Sequence, residues 1–303
     1  MGKIQSNLHY FKISKDNQEK LLDDFYVFDE KNVDLNKYKE NTKEIKNILI
    51  TIKTLQERKE KQAVINKYFL ELSKTLGKFS NCSEFACFIN ACDNVLKEAK
   101  NEIKLLKKIT ERYFAKRTLN EMIPEEWIQA ILDTNSSRKK GKCGENKLIH
   151  ILKKQGFKEV FSWDDFFKTD YCAVKFSKKF SLKNVRKNLG VKIKTKKQNK
   201  TLDLIIKAKD KIFLCEAKHL NTSGGGQDKQ ISELIEIMGL KEKNGISYIA
   251  FLDGKYSNIL LSDKDGGDKI KRQRKEINKF LENNPDNYWL NTDGFGGLIH
   301  DLL

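Results

Sequence analysis

Two carboxylates and a lysine lie close together in the second half of the chain: Asp203, Glu216 after a gap of twelve residues, and Lys218. Carboxylate oxygens are the ligands a hard divalent cation prefers. An ammonium beside them suits charge that develops on a phosphoryl oxygen. Converging on one patch, these groups are equipped for metal-assisted cleavage of a phosphodiester bond. The intervening residues predict how they converge. Apolar, β-rich runs at 202–206 and 212–217 flank the polar tip Ala208-Lys209-Asp210, which predicts a tight hairpin. A fold-back between Lys209 and Asp210 leaves 203 and 216 equidistant from the turn and across the ladder from each other. Like charges in that position repel by roughly 0.2–1 kcal/mol in an exposed sheet, and by more when buried. A shared divalent cation removes the conflict. Lys218, two residues beyond Glu216, projects from the same strand face.

Asp203…Glu216-Ala217-Lys218 resembles the PD-(D/E)xK nuclease signature, and over residues 141–262 the chain is similar to type II restriction endonucleases. The proline that usually precedes the aspartate is replaced by Leu202. The resemblance implies an α/β (α+β) fold, a restriction-endonuclease-like mixed β-sheet flanked by helices. It implies sequence-specific hydrolysis of double-stranded DNA in a restriction–modification system, with a separate DNA methyltransferase as functional partner. Mg²⁺ is the implied cofactor, held by Asp203, Glu216 and the Ala217 carbonyl, with Lys218 as the catalytic lysine. A free lysine has a pKa of about 10.4, so electrostatic assistance fits Lys218 better than proton abstraction. One metal site cuts one strand, so a symmetric double-strand cut calls for a homodimer. Two other readings share these residues: a repair or junction-resolving nuclease of the same fold, and a DNA-binding protein that does not cleave. The intact Asp-Glu-Lys set argues against the second. A purely helical interaction protein would leave the uneven charge described below unexplained.

Two flanking elements add candidates. Upstream, Leu148, Ile149 and Leu152 follow Glu145 by three, four and seven residues, so Glu145 lies on the apolar face of a helix predicted over 143–155. Gly156 is placed to end that helix with a left-handed cap. In the resembled family a glutamate of this first helix often joins the metal site; the alternative is a first-turn glutamate complementing the helix dipole. Downstream, the triplet 224–226 of glycines precedes Gln227, Ile231, Leu234 and Met238 at helical spacing, which turns Gln227 toward the site. Similar nucleases carry a glutamine or lysine there that contacts DNA phosphate or the attacking water. The glycines alone are also compatible with a plain flexible loop. They lack the lysine and spacing of a nucleotide-binding phosphate loop, which excludes an ATPase of that type.

Composition fits an anionic partner. Basic residues exceed acidic ones by 17 and the isoelectric point is about 9.4. Nearly all of that excess falls in 136–303, the half that holds the signature, as binding to double-stranded DNA requires. The densest run spans 178–200 and abuts Asp203. Interleaved Phe180, Leu182, Val185 and Leu189 predict that it is folded rather than a tail. A second basic cluster, 269–275, is predicted on the outer face of a late helix. No segment is apolar enough for a membrane span, the N-terminus lacks a signal-peptide core, and the six cysteines show no disulfide or metal-site spacing. These features predict a reducing, cytoplasmic setting.

The organisation divides near 135: a mainly helical region at 1–135, suited to recognition or dimerisation, and the nuclease domain at 136–303. Two or three long helices are predicted in 37–117, with Val64, Tyr68, Leu70 and Leu72 among the apolar positions, and Pro124 at the start of a further one. Residues 133–141 have the composition of a linker. After the hairpin come a helix at 228–240, strands at 247–252 and 256–261, and a helix at 268–283. The glycine- and aromatic-rich segment 288–297 has no assigned role.

Overall fold

The computed structural model describes residues 4–27, 31–120, 122–123, 125–134, 137–195, 201–222, 224–242, 245–264 and 266–303, with 137–141 as backbone only. Pro124, Ser223 and the last five residues of the basic run, 196–200, lie outside them. The chain forms two compact units: Phe28–Ser137, and Met1–Val27 together with Arg138–Leu303. The division expected near 135 therefore holds at one edge only, because residues 1–27 belong with the sheet. Helix α1 (Asn7–Asp16) buries Tyr10 in the sheet's core. Its Asn7 amide donates to the carbonyls of Leu281, Asn284 and Asn287. A helix anchored by buried polar side chains has a weak apolar periodicity, which hides its docking face from the sequence.

The inserted unit is helical. Helices α2 (Leu35–Glu57), α3 (Gln62–Thr75), α4 (Glu84–Ala91), α5 (Leu96–Asn101) and α6 (Ile103–Lys116) surround a core that includes Ile45, Ile52, Phe69, Phe85, Leu106 and Tyr113, and α7 (Glu125–Thr134) follows. Five helices thus occupy the region expected to hold two or three. The chain breaks before α4, where the Ser83 side chain accepts the Ala86 amide as an N-cap. It breaks again at Asp93, in a left-handed conformation. The buried stripe of α3 is Ile65, Phe69 and Leu72, while Val64 and Leu70 face solvent.

The second unit carries a six-stranded mixed sheet whose order follows the chain. Helix α8 (Ser137–Lys154) leads into β1 (Lys158–Glu159), α9 (Trp163–Lys168), β2 (Tyr171–Lys175), α10 (Leu182–Leu189), β3 (Leu204–Ala208) and β4 (Lys211–His219). Then come α11 (Gly225–Met238), β5 (Ile246–Asp253), α12 (Lys255–Leu261), α13 (Asp268–Asn283), β6 (Tyr288–Leu290) and α14 (Thr292–Asp301). Strand β3 is antiparallel to both neighbours, and the other pairings are parallel. One face, with Leu204, Ile206, Phe213, Cys215 and Phe251, packs on Leu148 and Leu152 of α8 and Phe295 of α14. The opposite face packs on α10 and α11, through Leu182, Val185, Ile231 and Leu234. Each fully buried Leu, Ile or Phe contributes roughly 1.5–3 kcal/mol relative to exposure. The fold is therefore a helix–sheet–helix sandwich. Among the described residues no helix is long and apolar enough to cross a membrane.

Two local expectations are corrected, and one unassigned segment is placed. Residues 256–261 form helix α12, not a strand. Gly254, at φ +84°, turns the chain off β5, and Tyr256, Ser257, Leu260 and Leu261 are then buried at helical spacing. A short apolar run does not by itself distinguish strand from helix. The expected linker at 133–141 is helical up to Thr134 and again from Ser137. Segment 288–297 is core: Trp289 is fully buried in β6, and α14 begins at Thr292.

Candidate active site

The hairpin closes through Lys209 and Asp210, with Lys209 at φ +57° and Ala208 paired with Lys211. That register carries 203 opposite 216, but the regular ladder ends one step earlier, at Leu204 and Cys215. There β3 departs from β4. The Asp203 amide still donates to the Cys215 carbonyl at 2.9 Å, and Asp203 Oδ2 accepts the Ala217 amide at 2.7 Å. A side-chain carboxylate thus takes the place of a backbone carbonyl at the end of the ladder. In a strand, a residue's N–H and C=O point to the same edge. The Ala217 carbonyl therefore faces the gap that Asp203 opens.

Glu216 is almost wholly buried and alternates with Leu214 on the face covered by α10 and α11. Lys218 reaches back along β4, and its ammonium pairs with Glu216 Oε1. Burial acts to remove the Lys218 proton, but Glu216, Asp203 and Glu233 together outweigh it and hold its pKa above that of an ordinary lysine. Lys218 is a cation here, not a base. The Asp203 carboxyl is pushed up to about 7, chiefly by burial and then by Glu216, with Glu145 adding to the rise and the Ala217 amide and Lys218 opposing it.

Glu145 enters from the half-buried edge of α8, near the start of its inward face. Its pKa is raised by burial against the pull of Lys175 and Lys142, and Lys175 Nζ lies 3.9 Å from Glu145 Oε2. Gly156 ends that helical segment at φ +90°, as its spacing predicts. Asp203 and Glu216 thus lie together at one strand end beside the Ala217 backbone, with Glu145 near enough to add to the Asp203 shift, and Asp203 is partly protonated near neutrality chiefly because it is buried. An all-oxygen donor set fits a hard cation such as Mg²⁺. Gln227 is the remaining candidate. It lies in the first turn of α11, and its side-chain oxygen folds back over Gly224, where a Cβ would lie only 2.8 Å from it.

A second acidic group, not anticipated from the sequence, lies on the other face of the sheet at the ends of β4 and β5. Glu19, Asp23 and Asp253 place carboxylate oxygens within 4.8 Å of one another, the spacing of a metal site. The centre, however, holds Lys147 Nζ, at 2.6 Å from Asp23, 2.9 Å from Asp253 and 3.5 Å from Glu19. Despite burial, which lowers it, the Lys147 pKa lies above its ordinary value because Asp253 and Glu19 favour the charged form. An ammonium already provides what a cation would. His219 Nδ1 meets Asp253 Oδ1 at 2.9 Å, and its ring stacks on Tyr26 at 3.6 Å. No sequence signal marks this group: Lys147 lies about 200° around α8 from Glu145, off the face of Leu148, Ile149 and Leu152.

Comparison of the chain with protein-family models, curated proteins and solved structures gives no match.

Proposed function

We propose that the protein is a Mg²⁺-dependent, sequence-specific endonuclease that hydrolyses both strands of DNA. In this reading it has a restriction-endonuclease-like fold and works in a restriction–modification system beside a separate methyltransferase. The observation that carries the reading is the convergence of Asp203, Glu216 and Lys218 at the point where β3 leaves β4. Asp203, Glu216 and the Ala217 carbonyl would hold the ion, with Glu145 completing the donor set. When bound, Mg²⁺ polarises the scissile phosphate and lowers the pKa of a coordinated water. Lys218, kept protonated by Glu216, places positive charge where the phosphoryl oxygens become more negative. Asp203 gives up its proton on forming the site. The exposed lysines 183 and 187 of α10, on the sheet face that carries Glu216, suit phosphate contacts that fix register. Gln227 lies near enough in sequence to the glycine turn to meet DNA there.

The test is incubation of the purified protein with phage-sized DNA and Mg²⁺. Discrete fragments are the expected result. Structure-specific nicking would replace this reading with a repair or junction-resolving nuclease, and uncut but bound DNA would leave a DNA-binding protein. A homodimer fits a symmetric double-strand cut. Sedimentation with and without cognate DNA checks it, and a strict monomer that cuts both strands in one binding event would remove that element.

A further inference from the structure

Resting on the nuclease reading, we propose that Lys147, Asp253, Tyr26 and His219 form a positioning network that aims Glu145 and the end of β4 at the metal. None of these groups is placed to touch a substrate: Asp253 and Lys147 are 0% and 4% exposed. What they join is telling. Asp253 ends β5 and pairs in register with His219, the last residue of β4 and the neighbour of Lys218. One Asp253 oxygen receives Lys147 at 2.9 Å and the Tyr26 hydroxyl at 2.9 Å, and the other meets His219. Tyr26 approaches α8 closely at Gly144, where a Cβ would lie 3.1 Å from the tyrosine oxygen. Gly144 and Lys147 bracket Glu145 on the same helical turn.

Lys147 follows Glu145 by two residues, about 200° around a helix of 3.6 residues per turn. The two side chains therefore leave α8 on nearly opposite sides. Fixing one fixes the rotation of the helix, and with it the direction of the other. A carboxylate roughly 6 Å from the helix axis moves about 1 Å for a 10° rotation. Misplacement of that size is enough to cost about a hundredfold in rate. The network is built to prevent such rotation. A buried ammonium bonded to two carboxylates and close to a third has no alternative partners, and breaking such a cluster leaves uncompensated charge in the interior.

Glu19, Asp23 and Tyr26 immediately precede the insertion that begins at Phe28, and α8 resumes the sheet unit just after it ends at Ser137.

The test compares the parent with Tyr26→Phe and Lys147→Met, using Tyr10→Phe as control. Tyr10 is a buried tyrosine of the same unit whose hydroxyl also donates to an aspartate, Asp301, at 2.8 Å. Three quantities are read: Mn²⁺ affinity by calorimetry without DNA, single-turnover cleavage at saturating metal, and Tm. Loss of an outer partner of a metal ligand costs on the order of 10–100-fold in affinity or rate. Tyr26→Phe is expected near the lower figure and Lys147→Met near the upper, with KM for DNA within about twofold of the parent. Tyr10→Phe should lower Tm while leaving affinity and rate unchanged. If Lys147→Met does not fold, Tyr26→Phe still decides. A Tyr26→Phe protein matching Tyr10→Phe in Mn²⁺ affinity and rate overturns the network's role and leaves the nuclease reading intact. A parent that binds Mn²⁺ but cuts no DNA removes the nuclease reading, and the affinities then test the network alone. A parent that binds no Mn²⁺ overturns both.

Discussion

Two acidic groups lie near the ends of β4 and β5: Glu19, Asp23 and Asp253 around Lys147 on one face of the sheet, and Asp203 and Glu216 beside Lys218 on the other, with Glu145 of α8 at its edge. Around Lys147 the ammonium is central, bonded to Asp23 and Asp253 and 3.5 Å from Glu19, and the group is sealed. Around Asp203 the lysine is lateral. Lys218 pairs with Glu216, Asp203 is bound by a backbone amide, and Glu145 lies 3.9 Å from Lys175. The first arrangement resolves its charge conflict internally, whereas the second leaves Asp203 raised to about 7 by burial and its acidic neighbours. Counting carboxylates does not distinguish them. What stands between the oxygens does: Lys147 fills the centre of the first group, which argues against a metal there.

The sharpest way to break this contrast is to remove ligands. Asp203→Ala and Glu216→Ala should each slow cleavage by at least about a thousandfold, the loss of some 4 kcal/mol of transition-state stabilisation, while DNA binding persists. Lys218→Ala should be comparably inactive yet still bind metal. Cleavage assays beside gel-shift measurements check all three, and a Glu216→Ala enzyme cutting near the parent rate would sink the assignment. By contrast, Glu19→Gln should leave metal affinity within about threefold, since Lys147 keeps its closer partners Asp23 and Asp253.

Acidity gives the next effect. Because Asp203 must be ionised to hold a cation, affinity for Mn²⁺ should fall about tenfold per pH unit below 7 and level off above it. The same shift has a stability consequence without metal. The folded-state pKa lies above the unfolded one, so folding favours the protonated form, and Asp203 destabilises the fold increasingly from about pH 4 to 7. Asp203→Asn should therefore raise Tm at pH 8 and leave it unchanged at pH 4. Equal shifts at both pH values would show that the raised pKa is not what the carboxylate experiences.

Smaller effects sharpen the edge of the site. Glu145→Gln should slow cutting by roughly 10–100-fold and weaken the response to Mg²⁺. An unchanged metal titration would reduce Glu145 to a helix residue that complements the dipole. Gln227→Ala should cost only a few-fold, as its side chain lies over Gly224 rather than among the carboxylates. A loss as large as that of Lys218→Ala would mean the glycine turn rearranges on DNA.

What could be read from the sequence was local. The turn at Lys209-Asp210 follows from polar residues between two apolar runs, and opposition of 203 and 216 follows from counting outward. The inward placement of Glu145 follows from its spacing to Leu148, Ile149 and Leu152. What could not be read depends on distant partners. Tyr26 meets Asp253 across 227 positions and Lys147 meets it across 106. A buried cluster of charges runs against the rule that apolar residues fill the interior, so no pattern announces it. Residues 1–27 were assigned to the wrong unit for the same reason. Their docking relies on Asn7, whose amide donates to carbonyls at 281, 284 and 287, and on Ser14, whose hydroxyl oxygen accepts the Asn291 amide.

The long reach of Asn7 also dictates an order of events during synthesis. Its amide waits for carbonyls at 281, 284 and 287, more than 270 residues later. The helical unit, made of near neighbours in sequence, has everything it needs once residue 137 has emerged, so it folds first. The leading segment meanwhile trails unpaired beside it. The sheet unit then closes last, around a helix made long before, and the nascent chain lacks the assembled Asp203–Glu216–Lys218 group until that closure.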